Sequence, residues 1–333
     1  MINIFRLISV SLLLIFGHVD AANLDQAAVD AFIGELVAND GFDAAELARV
    51  LKKAQRSDRI LKAMSRPAEK SKPWHEYQKH FLTDLRISGG IKFWDTNAKT
   101  LHRATDVYGV PPEIIVAIIG VETAYGKITG GDHVVDALAT LAFHYPKGNV
   151  RRMMFFREQL RQLFLMSREQ HLDPLELTGS YAGAMGIPQF MPESYRKFAV
   201  DFNDDGERNI WKDRSDAIGS VANYLKSHGW KRGDPIVVPA STTNSNVDEL
   251  LTDSVKPTRR ISDYATHGVT TSALKSDELA ALFTLEGETS LEYWLALNNF
   301  YAIMKYNPRT KYAMAVFKLA EAIRNARLAQ QMS

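Results

Sequence analysis

The sequence contains no cysteine among its 333 residues. This absence excludes disulfide bonds, cysteine–zinc sites, cysteine nucleophiles and a lipid-modified cysteine. An excess of charge of either sign is also lacking, because 40 Lys and Arg stand against 39 Asp and Glu. Such a balance supplies neither the basic surface that nucleic acid needs nor a basic run for an anionic membrane. We therefore expect no nucleic acid partner and no charge-driven membrane binding.

The motifs of several enzyme classes are absent as well. The nine histidines show neither an HExxH motif nor paired metal-binding spacing, and the chain has no GxSxG motif and no phosphate-binding loop. Internal repeats and low-complexity tracts are missing too. What remains is the composition of a globular protein, 46% apolar and 24% charged. Its length favours two domains, or one core with inserted subdomains.

A single apolar run suited to targeting lies at the N-terminus. Arg6 precedes the apolar residues 7–16, and Val19 and Ala21 place small residues where a signal peptidase cuts. This order predicts a signal peptide over residues 1–21, cleaved after Ala21. The alternative is an uncleaved anchor, although the run is well short of the ~20 residues of a membrane span. We expect export, and no membrane anchor in the mature protein.

Hydrophobic periodicity in the rest of the chain is mainly helical, so the expected fold class is mainly α (α+β). Apolar residues recur at helix spacing up to about residue 108 and in four segments between residues 111 and 228. Two short stretches, 236–238 and 282–285, are strand-like. The predicted units are an α domain, a central core, a small β subdomain and closing helices (22–105 with parts of 276–295, 106–230, 231–290 and 291–333).

Glu122 lies at the far end of a predicted helix that begins at the Pro111-Pro112 pair. Residues 114–121 are apolar on every face, which is typical of a buried helix, and Gly126 predicts its end. The negative end of the helix dipole and the apolar flank both raise the pKa of a carboxyl there. A raised pKa suits a general acid near neutral pH. The alternative is a glutamate that simply reaches solvent at a helix end.

Two further features suit a carbohydrate ligand. Residues 179–192, here the Gly-rich loop, hold three glycines and two prolines around Ser180 and Gln189, so a sugar can approach the backbone closely. Aromatic faces and hydroxyls also match sugar rings, which have apolar faces and polar edges. The tyrosines in question are Tyr77, Tyr224, Tyr306 and Tyr312. Their alternatives are a purely structural loop and ordinary core or surface tyrosines.

Residues 201–216, here the acidic loop, begin like an EF-hand. Asp201, Asn203 and Asp205 occupy positions 1, 3 and 5, and glycine occupies position 6. The second half departs from the pattern, because Lys212 stands at position 12, where a glutamate is expected, and acids follow only at Asp213 and Asp216. We predict a hard cation, Ca²⁺, in this loop. The alternative is an Asx-turn loop without an ion.

Taken in order, these motifs closely resemble the membrane-bound lytic murein transglycosylase B family. The resemblance covers nearly all of the mature chain and rests on several long, separate motifs, which are residues 109–123, 136–141, 179–195, 216–224 and 299–316. It implies a lysozyme-like catalytic core with an α domain and a small antiparallel β subdomain. The founding members are lipoproteins, whereas this chain has no cysteine. The resemblance therefore implies a soluble periplasmic form, without the family's membrane anchor.

The resemblance also assigns roles to individual residues. It makes Glu122 the catalytic glutamate, and the acidic loop a calcium site that is one residue longer than usual before its closing aspartate. The positions that line the family's substrate groove are Tyr77, Ser180, Gln189, Tyr224, Tyr306, Asn307 and Tyr312. The implied calcium ligands are Asp201, Asn203, Asp205, the Glu207 carbonyl and Asp216.

The implied reaction needs one carboxylate and no catalytic cofactor, whereas ordinary glycosidases use two carboxylates. In the family, the glutamic acid protonates the β-1,4 oxygen between N-acetylmuramic acid and N-acetylglucosamine. The carboxylate then takes the proton of the muramyl C6 hydroxyl, which closes onto C1 as a 1,6-anhydro ring. The implied partners are peptidoglycan glycan strands, with cell-wall synthesis proteins as further candidates. The alternatives are a hydrolytic muramidase, a non-catalytic peptidoglycan-binding protein and a calcium-responsive module.

Overall fold

The structure, a computed structural model, describes residues 24–65, 72–146, 149–243, 247–251, 254–271 and 277–332. The predicted signal peptide lies outside these residues. The helices are α1 (Gln26–Asp40), α2 (Ala44–Lys53), α3 (Asp58–Ser65), α4 (Trp74–Tyr77), α5 (Asp84–Thr96), α6 (Ala98–Tyr108), α7 (Pro112–Thr123), α8 (Val134–His144), α9 (Val150–Glu169), α10 (Pro192–Phe198), α11 (Arg214–Ser227), α12 (Ile261–Ala265), α13 (Asn298–Tyr306) and α14 (Thr310–Met332). The strands are β1 (Asp132–His133), β2 (Thr178–Gly179), β3 (Val237–Thr242), β4 (Arg259–Arg260), β5 (Val269–Thr270), β6 (Leu279–Glu286) and β7 (Leu291–Ala296). Short 3₁₀ turns cover Gln78–His80 and Asp248–Leu250.

The N-terminal helices pack on α9. Apolar side chains of α1 and α2 are buried, and the Phe32 ring contacts Phe164 of α9 at 6.3 Å between centroids. At the end of α1, the Arg161 guanidinium donates to both oxygens of Asp40, at 2.6 and 2.8 Å. This paired geometry fixes orientation as well as distance. The α domain is thereby tied to the helix that carries the chain toward the Gly-rich loop.

Helix α7 is the centre of the core, as its apolar sequence predicted. Ile115–Ile119 have no exposed surface, and α5, α6, α11 and α14 pack around the helix. Among the described helices, none alone is long and apolar enough to span a membrane. Only α6 and α7 taken together reach that length, across a bend of 112°.

The small sheet is antiparallel throughout, with strand order β4-β6-β7-β3-β5. Alternate residues face opposite sides of a strand. On one face Val238, Leu282 and Leu295 form a separate small core with Tyr264, while on the other face Phe283 stacks on Phe300 of α13 at 5.1 Å. The sheet is therefore buried on both faces, and one face anchors it to the helices of the main core.

One boundary predicted from the sequence, the start of the closing helices, is wrong. The closing helices were expected to begin at residue 291, but Leu291–Ala296 form strand β7, and helix begins only at Asn298. The aromatic pair Tyr293-Trp294 favours a strand, and β7 pairs with β3 and β6 on its two sides. Parts of 276–295, which the sequence assigned to the α domain, accordingly form β6 and most of β7. The strand predicted near residues 282–285 lies within β6.

Candidate active site

Glu122 lies in the last turn of α7, and the chain leaves the helix through a tight turn. Ala124, Tyr125 and Gly126 all have left-handed backbones, with φ of 49°, 66° and 82°. A left-handed residue other than glycine costs roughly 1–2 kcal/mol. Buried Thr123 ties this turn to the Gly-rich loop, because its hydroxyl donates to the Ile187 carbonyl at 2.9 Å and accepts from the Gly126 N–H at 3.0 Å.

The Glu122 carboxyl lies in a mostly apolar setting. Burial raises its pKa to about 7, while a hydrogen bond from Tyr312 acts in the opposite direction. In that bond the Tyr312 hydroxyl donates to Glu122 Oε1 at 2.5 Å. Near neutral pH the group is thus populated both with and without its proton. A carboxyl in this state can give a proton and later take one back.

The four predicted tyrosines come together beside Glu122. Tyr312 is buried and Tyr306 is half-buried, and burial and then the charge of Glu122 raise the pKa of both phenols. Burial also raises the pKa of Tyr77, with smaller effects from Arg309 and Glu122. Tyr224 joins them through its ring, which lies 4.7 Å from that of Tyr306. All four phenols stay neutral near pH 7, so Glu122 is the group of this cluster that titrates there.

Backbone carbonyls hold two of these tyrosines. The Tyr306 hydroxyl donates to the Pro188 carbonyl at 2.6 Å, and the Tyr224 hydroxyl donates to the Lys305 carbonyl at 2.5 Å. The Tyr306 bond connects α13 to the Gly-rich loop. The hydroxyls of Tyr224 and Tyr306 therefore support the walls around Glu122.

The Gly-rich loop folds back on itself. Ser180 Oγ accepts the Ala184 N–H at 3.1 Å, and its own hydroxyl hydrogen has no acceptor among the described residues. Gln189 has a left-handed backbone, with φ of 53°, and its Nε2 donates to the carbonyls of Thr129 and Gly186 at 3.0 and 2.9 Å. Ser180 can thus donate to a ligand, whereas the nitrogen of Gln189 shapes the loop.

Asn307, another predicted groove residue, directly follows Tyr306. It follows α13 in an extended conformation, and its carbonyl accepts the Arg309 N–H at 2.7 Å. Within the described part of the chain, no hydrogen bond joins its side chain to Glu122.

The acidic loop brings together part of the predicted calcium set. Asp201 accepts the N–H groups of Asp205 and Gly206 at 3.1 and 2.7 Å, and Asp205 accepts the Glu207 N–H at 2.9 Å. The Asn203 amide nitrogen donates to Asp205 Oδ2 and also to Asp213 Oδ2, both at 2.8 Å. Within the described ranges, no three acidic or histidine side chains already form a metal-binding cluster.

Asp216, the bidentate calcium ligand predicted from the sequence, makes two hydrogen bonds to the backbone of the acidic loop. The residue is fully buried, and its two oxygens accept the N–H groups of Phe202 and Asn209, each at 2.7 Å. Asp213 also lies beside the loop, because its Oδ2 accepts the Asn203 amide at 2.8 Å. Asp216 thus holds the loop backbone at Phe202 and at Asn209.

The sequence reading missed Thr123, Tyr125 and Arg86, which hold the end of α7. The sequence indicated these residues only indirectly, through glycines. Gly89, Gly90 and Gly120 lie inside helices, where glycine is unfavourable. Each of them leaves room for the Tyr125 side chain.

Comparison with known proteins places this geometry in a family. The chain matches the Transglycosylase SLT domain over residues 25–321. It is 44% identical over 307 residues to the membrane-bound lytic murein transglycosylase B of Escherichia coli K12, covering 89% of this chain and 82% of that protein. The soluble lytic transglycosylase SltB1 of Pseudomonas aeruginosa is 47% identical, with a TM-score of 0.85 over 90% of this chain and 99% of that one.

Two other solved structures contain ligands. The lytic transglycosylase Slt35 of Escherichia coli in complex with calcium is 43% identical, with a TM-score of 0.82 over 93% of this chain and 96% of that one. SltB3 of Pseudomonas aeruginosa in complex with NAG-anhNAM-pentapeptide is 32% identical, with a TM-score of 0.79 over 91% and 80%. These matches confirm the mainly α, lysozyme-like fold class. The chain belongs to the lytic transglycosylase family that carries the Transglycosylase SLT domain.

Proposed function

We propose that the protein is a lytic transglycosylase of peptidoglycan. It cleaves the β-1,4 bond between N-acetylmuramic acid and N-acetylglucosamine and leaves 1,6-anhydro-N-acetylmuramyl ends. The observation that carries the proposal is the Glu122 carboxyl, whose pKa is about 7, among tyrosines. Support comes from membership of the family and from the relative that binds NAG-anhNAM-pentapeptide.

Glu122 acts twice in this reaction. Its protonated form gives a proton to the glycosidic oxygen as the C1–O bond breaks. The carboxylate then accepts the proton of the muramyl C6 hydroxyl as that oxygen bonds to C1, so the proton balance closes without water. Tyr312 holds Oε1 and stabilises the carboxylate between the two steps. This leaves Oε2 for the sugar.

The nucleophile is the sugar's own hydroxyl. Among the described residues, the hydrogen-bond and charge partners of Glu122 include no second carboxylate. A retaining glycosidase would need one as nucleophile, and an inverting one would need one to activate water. An intramolecular hydroxyl gains from proximity instead. A muramidase that uses the same acid with water as nucleophile is the competing function.

The proposal is tested by incubating purified sacculi with the purified chain. We expect the turbidity to fall and soluble muropeptides to be released, because the family reaction cuts the glycan backbone. Release should decline as pH rises through about 7, where Glu122 loses the proton needed for the first step. If intact sacculi remained after prolonged incubation with a folded protein, a non-catalytic binding role would replace the enzyme.

We also propose a structural Ca²⁺ in the acidic loop, held by Asp201, Asn203, Asp205, the Glu207 carbonyl and Asp216, with Asp213 beside them. Carboxylate, amide and carbonyl oxygens are the donors that Ca²⁺ prefers. Asn203 already connects Asp205 to Asp213, and a relative has been solved with calcium. Proton transfer at Glu122 needs no metal, so the ion would stabilise the fold.

Calcium should raise the melting temperature of the protein. Binding only to the folded state contributes about 2.7 kcal/mol at a hundredfold excess over Kd. Asp201→Asn combined with Asp205→Asn should remove this gain and leave activity at low temperature intact. Asp204→Asn is the matched control in the same loop, because Asp204 is exposed and pairs instead with Arg103 at 3.4 Å. An unchanged melting temperature with millimolar Ca²⁺ would show that Lys212 and the extra loop residue have abolished the site.

We propose that the protein is located in the periplasm. The predicted cleavage after Ala21 would release a chain without a lipid anchor, and a close structural relative is described as soluble. Its proposed partners are peptidoglycan glycan strands, with cell-wall synthesis proteins as further candidates. Fractionation with N-terminal sequencing tests this, and full-length chain in the membrane pellet would contradict it.

A further inference from the structure

The turn that follows Glu122 is held in an uncommon conformation. Ala124 and Tyr125 are both left-handed, one after the other, with φ of 49° and 66°. Residues other than glycine persist in this region only where the surrounding structure holds them. Because Glu122 is two residues away, whatever holds this turn also sets the direction of the carboxyl.

The Tyr125 side chain fills a slot between α5 and α7 that is lined by glycines. A Cβ atom on Gly120 would lie 2.7 Å from the Tyr125 hydroxyl oxygen, and one on Gly89 would lie 2.9 Å from its ring. Gly90 makes room for both Tyr125 and Ile323. Glycine destabilises a helix interior, so its presence at these positions is explained by the close approach of this side chain.

Polar contacts close a loop around the same slot. The Tyr125 hydroxyl donates to the Arg86 carbonyl at 2.7 Å. The Arg86 guanidinium donates in turn to the Gly120 carbonyl, two residues before Glu122. A cation is favourable near the carbonyl end of a helix. Arg86 is thus connected to this end of α7 in two ways. Its carbonyl accepts the Tyr125 hydroxyl, and its guanidinium donates directly to the helix.

We propose that Arg86 and Tyr125 are positioning residues for the transglycosylase reaction, which fix the last turn of α7 and so aim Glu122 at the scissile bond. This inference rests on the proposed function. Neither residue contacts the Glu122 carboxyl, whose hydrogen bond comes from Tyr312. Their effect is geometric, and displacement of a reacting group by about 1 Å can lower a rate a hundredfold.

Tyr125→Phe removes the hydroxyl bond to Arg86 and keeps the ring in its slot. With soluble glycan strands as substrate, we expect kcat to fall about tenfold and KM to stay close to that of wild type. Tyr264→Phe in the small sheet is the control, because the Tyr264 hydroxyl is also buried and donates to a carbonyl, that of Ala280, at 3.4 Å. The control should lose a similar amount of stability and keep its kcat.

Gly89→Ala should perturb the same turn through the Tyr125 ring. Alanine favours a helix, and within 4 Å its Cβ would meet only the Tyr125 ring. Because the Tyr125 ring must shift to admit this Cβ, a loss of kcat is expected. The pH–rate profile gives an independent readout, because the titratable groups that face Glu122 are the phenols of Tyr77, Tyr306 and Tyr312. If the turn loosens and water enters, the alkaline limb moves to lower pH.

Two results would overturn the inference. Wild-type kcat in Tyr125→Phe would show that the hydroxyl positions nothing. An equal fall of kcat in Tyr264→Phe would show that activity simply follows stability. A folded wild-type protein that cleaves no glycan would instead overturn the proposed function, and the positioning role with it.

Discussion

Glu122→Gln should leave the protein folded and lower its release of muropeptides by about 10³-fold or more. The same carboxyl must first donate a proton and then accept one, so an amide blocks both steps. Glutamine has nearly the shape of glutamic acid, and its Oε1 can still accept the hydrogen bond from Tyr312. Binding to sacculi, measured by cosedimentation, should therefore persist while the turbidity of the sacculi no longer falls.

Glu113→Gln is the matched control for this variant. Glu113 occupies the first turn of the same helix α7 and pairs with Arg324 at 3.5 Å, far along the helix from the site. The identical chemical change there should leave lysis close to that of wild type. Lysis by Glu122→Gln within about tenfold of wild type would exclude a general acid–base role for Glu122.

Of the variants proposed, Asp216→Ala should lose the most stability against unfolding. Its two oxygens accept the N–H groups of Phe202 and Asn209, one buried and one half-buried. Removal of the carboxylate leaves both donors without a partner, at a cost of about 1–3 kcal/mol each. The free energy of unfolding, from denaturant titration, should fall by about 2–6 kcal/mol. Asp216→Asn should cost less, because one acceptor oxygen remains.

This loss should also weaken the active site. Asn209, which Asp216 holds, precedes Ile210, and the Ile210 carbonyl accepts the Ile187 N–H of the Gly-rich loop at 2.8 Å. Thr123 then connects Ile187 to the end of α7. If Asp216→Ala unfolded at the same denaturant concentration as wild type, the stabilising role of the buried Asp216 carboxylate would be wrong.

The chemistry of Glu122 could be predicted from sequence because it depends on near neighbours. The apolar residues 114–121 determine both the burial of α7 and the raised pKa at its end. The convergence of the tyrosines depended on the resemblance, since positions 77, 224, 306 and 312 are distant in the chain. The role of Tyr125 could not be predicted, because its left-handed backbone is imposed by contacts with α5.

The helical assignment of residues 291–296 was wrong. Leu291–Ala296 have too few residues for periodicity to separate helix from strand, and pairing with β3 and β6 decides between them. The hydrogen bonds from Phe202 and Asn209 to Asp216 likewise could not be predicted from its position in a motif. Both outcomes depend on partners that are distant in sequence.

The most direct test of the central claim is digestion of sacculi in water enriched in oxygen-18, followed by mass spectrometry of the released muropeptides. A lytic transglycosylase closes the C6 oxygen of the sugar onto C1 and incorporates no solvent oxygen. We predict muramyl ends that are one water lighter than reducing ends and free of oxygen-18. Reducing muramyl ends that each carry one oxygen-18 would show that water is the nucleophile and that the protein is a muramidase.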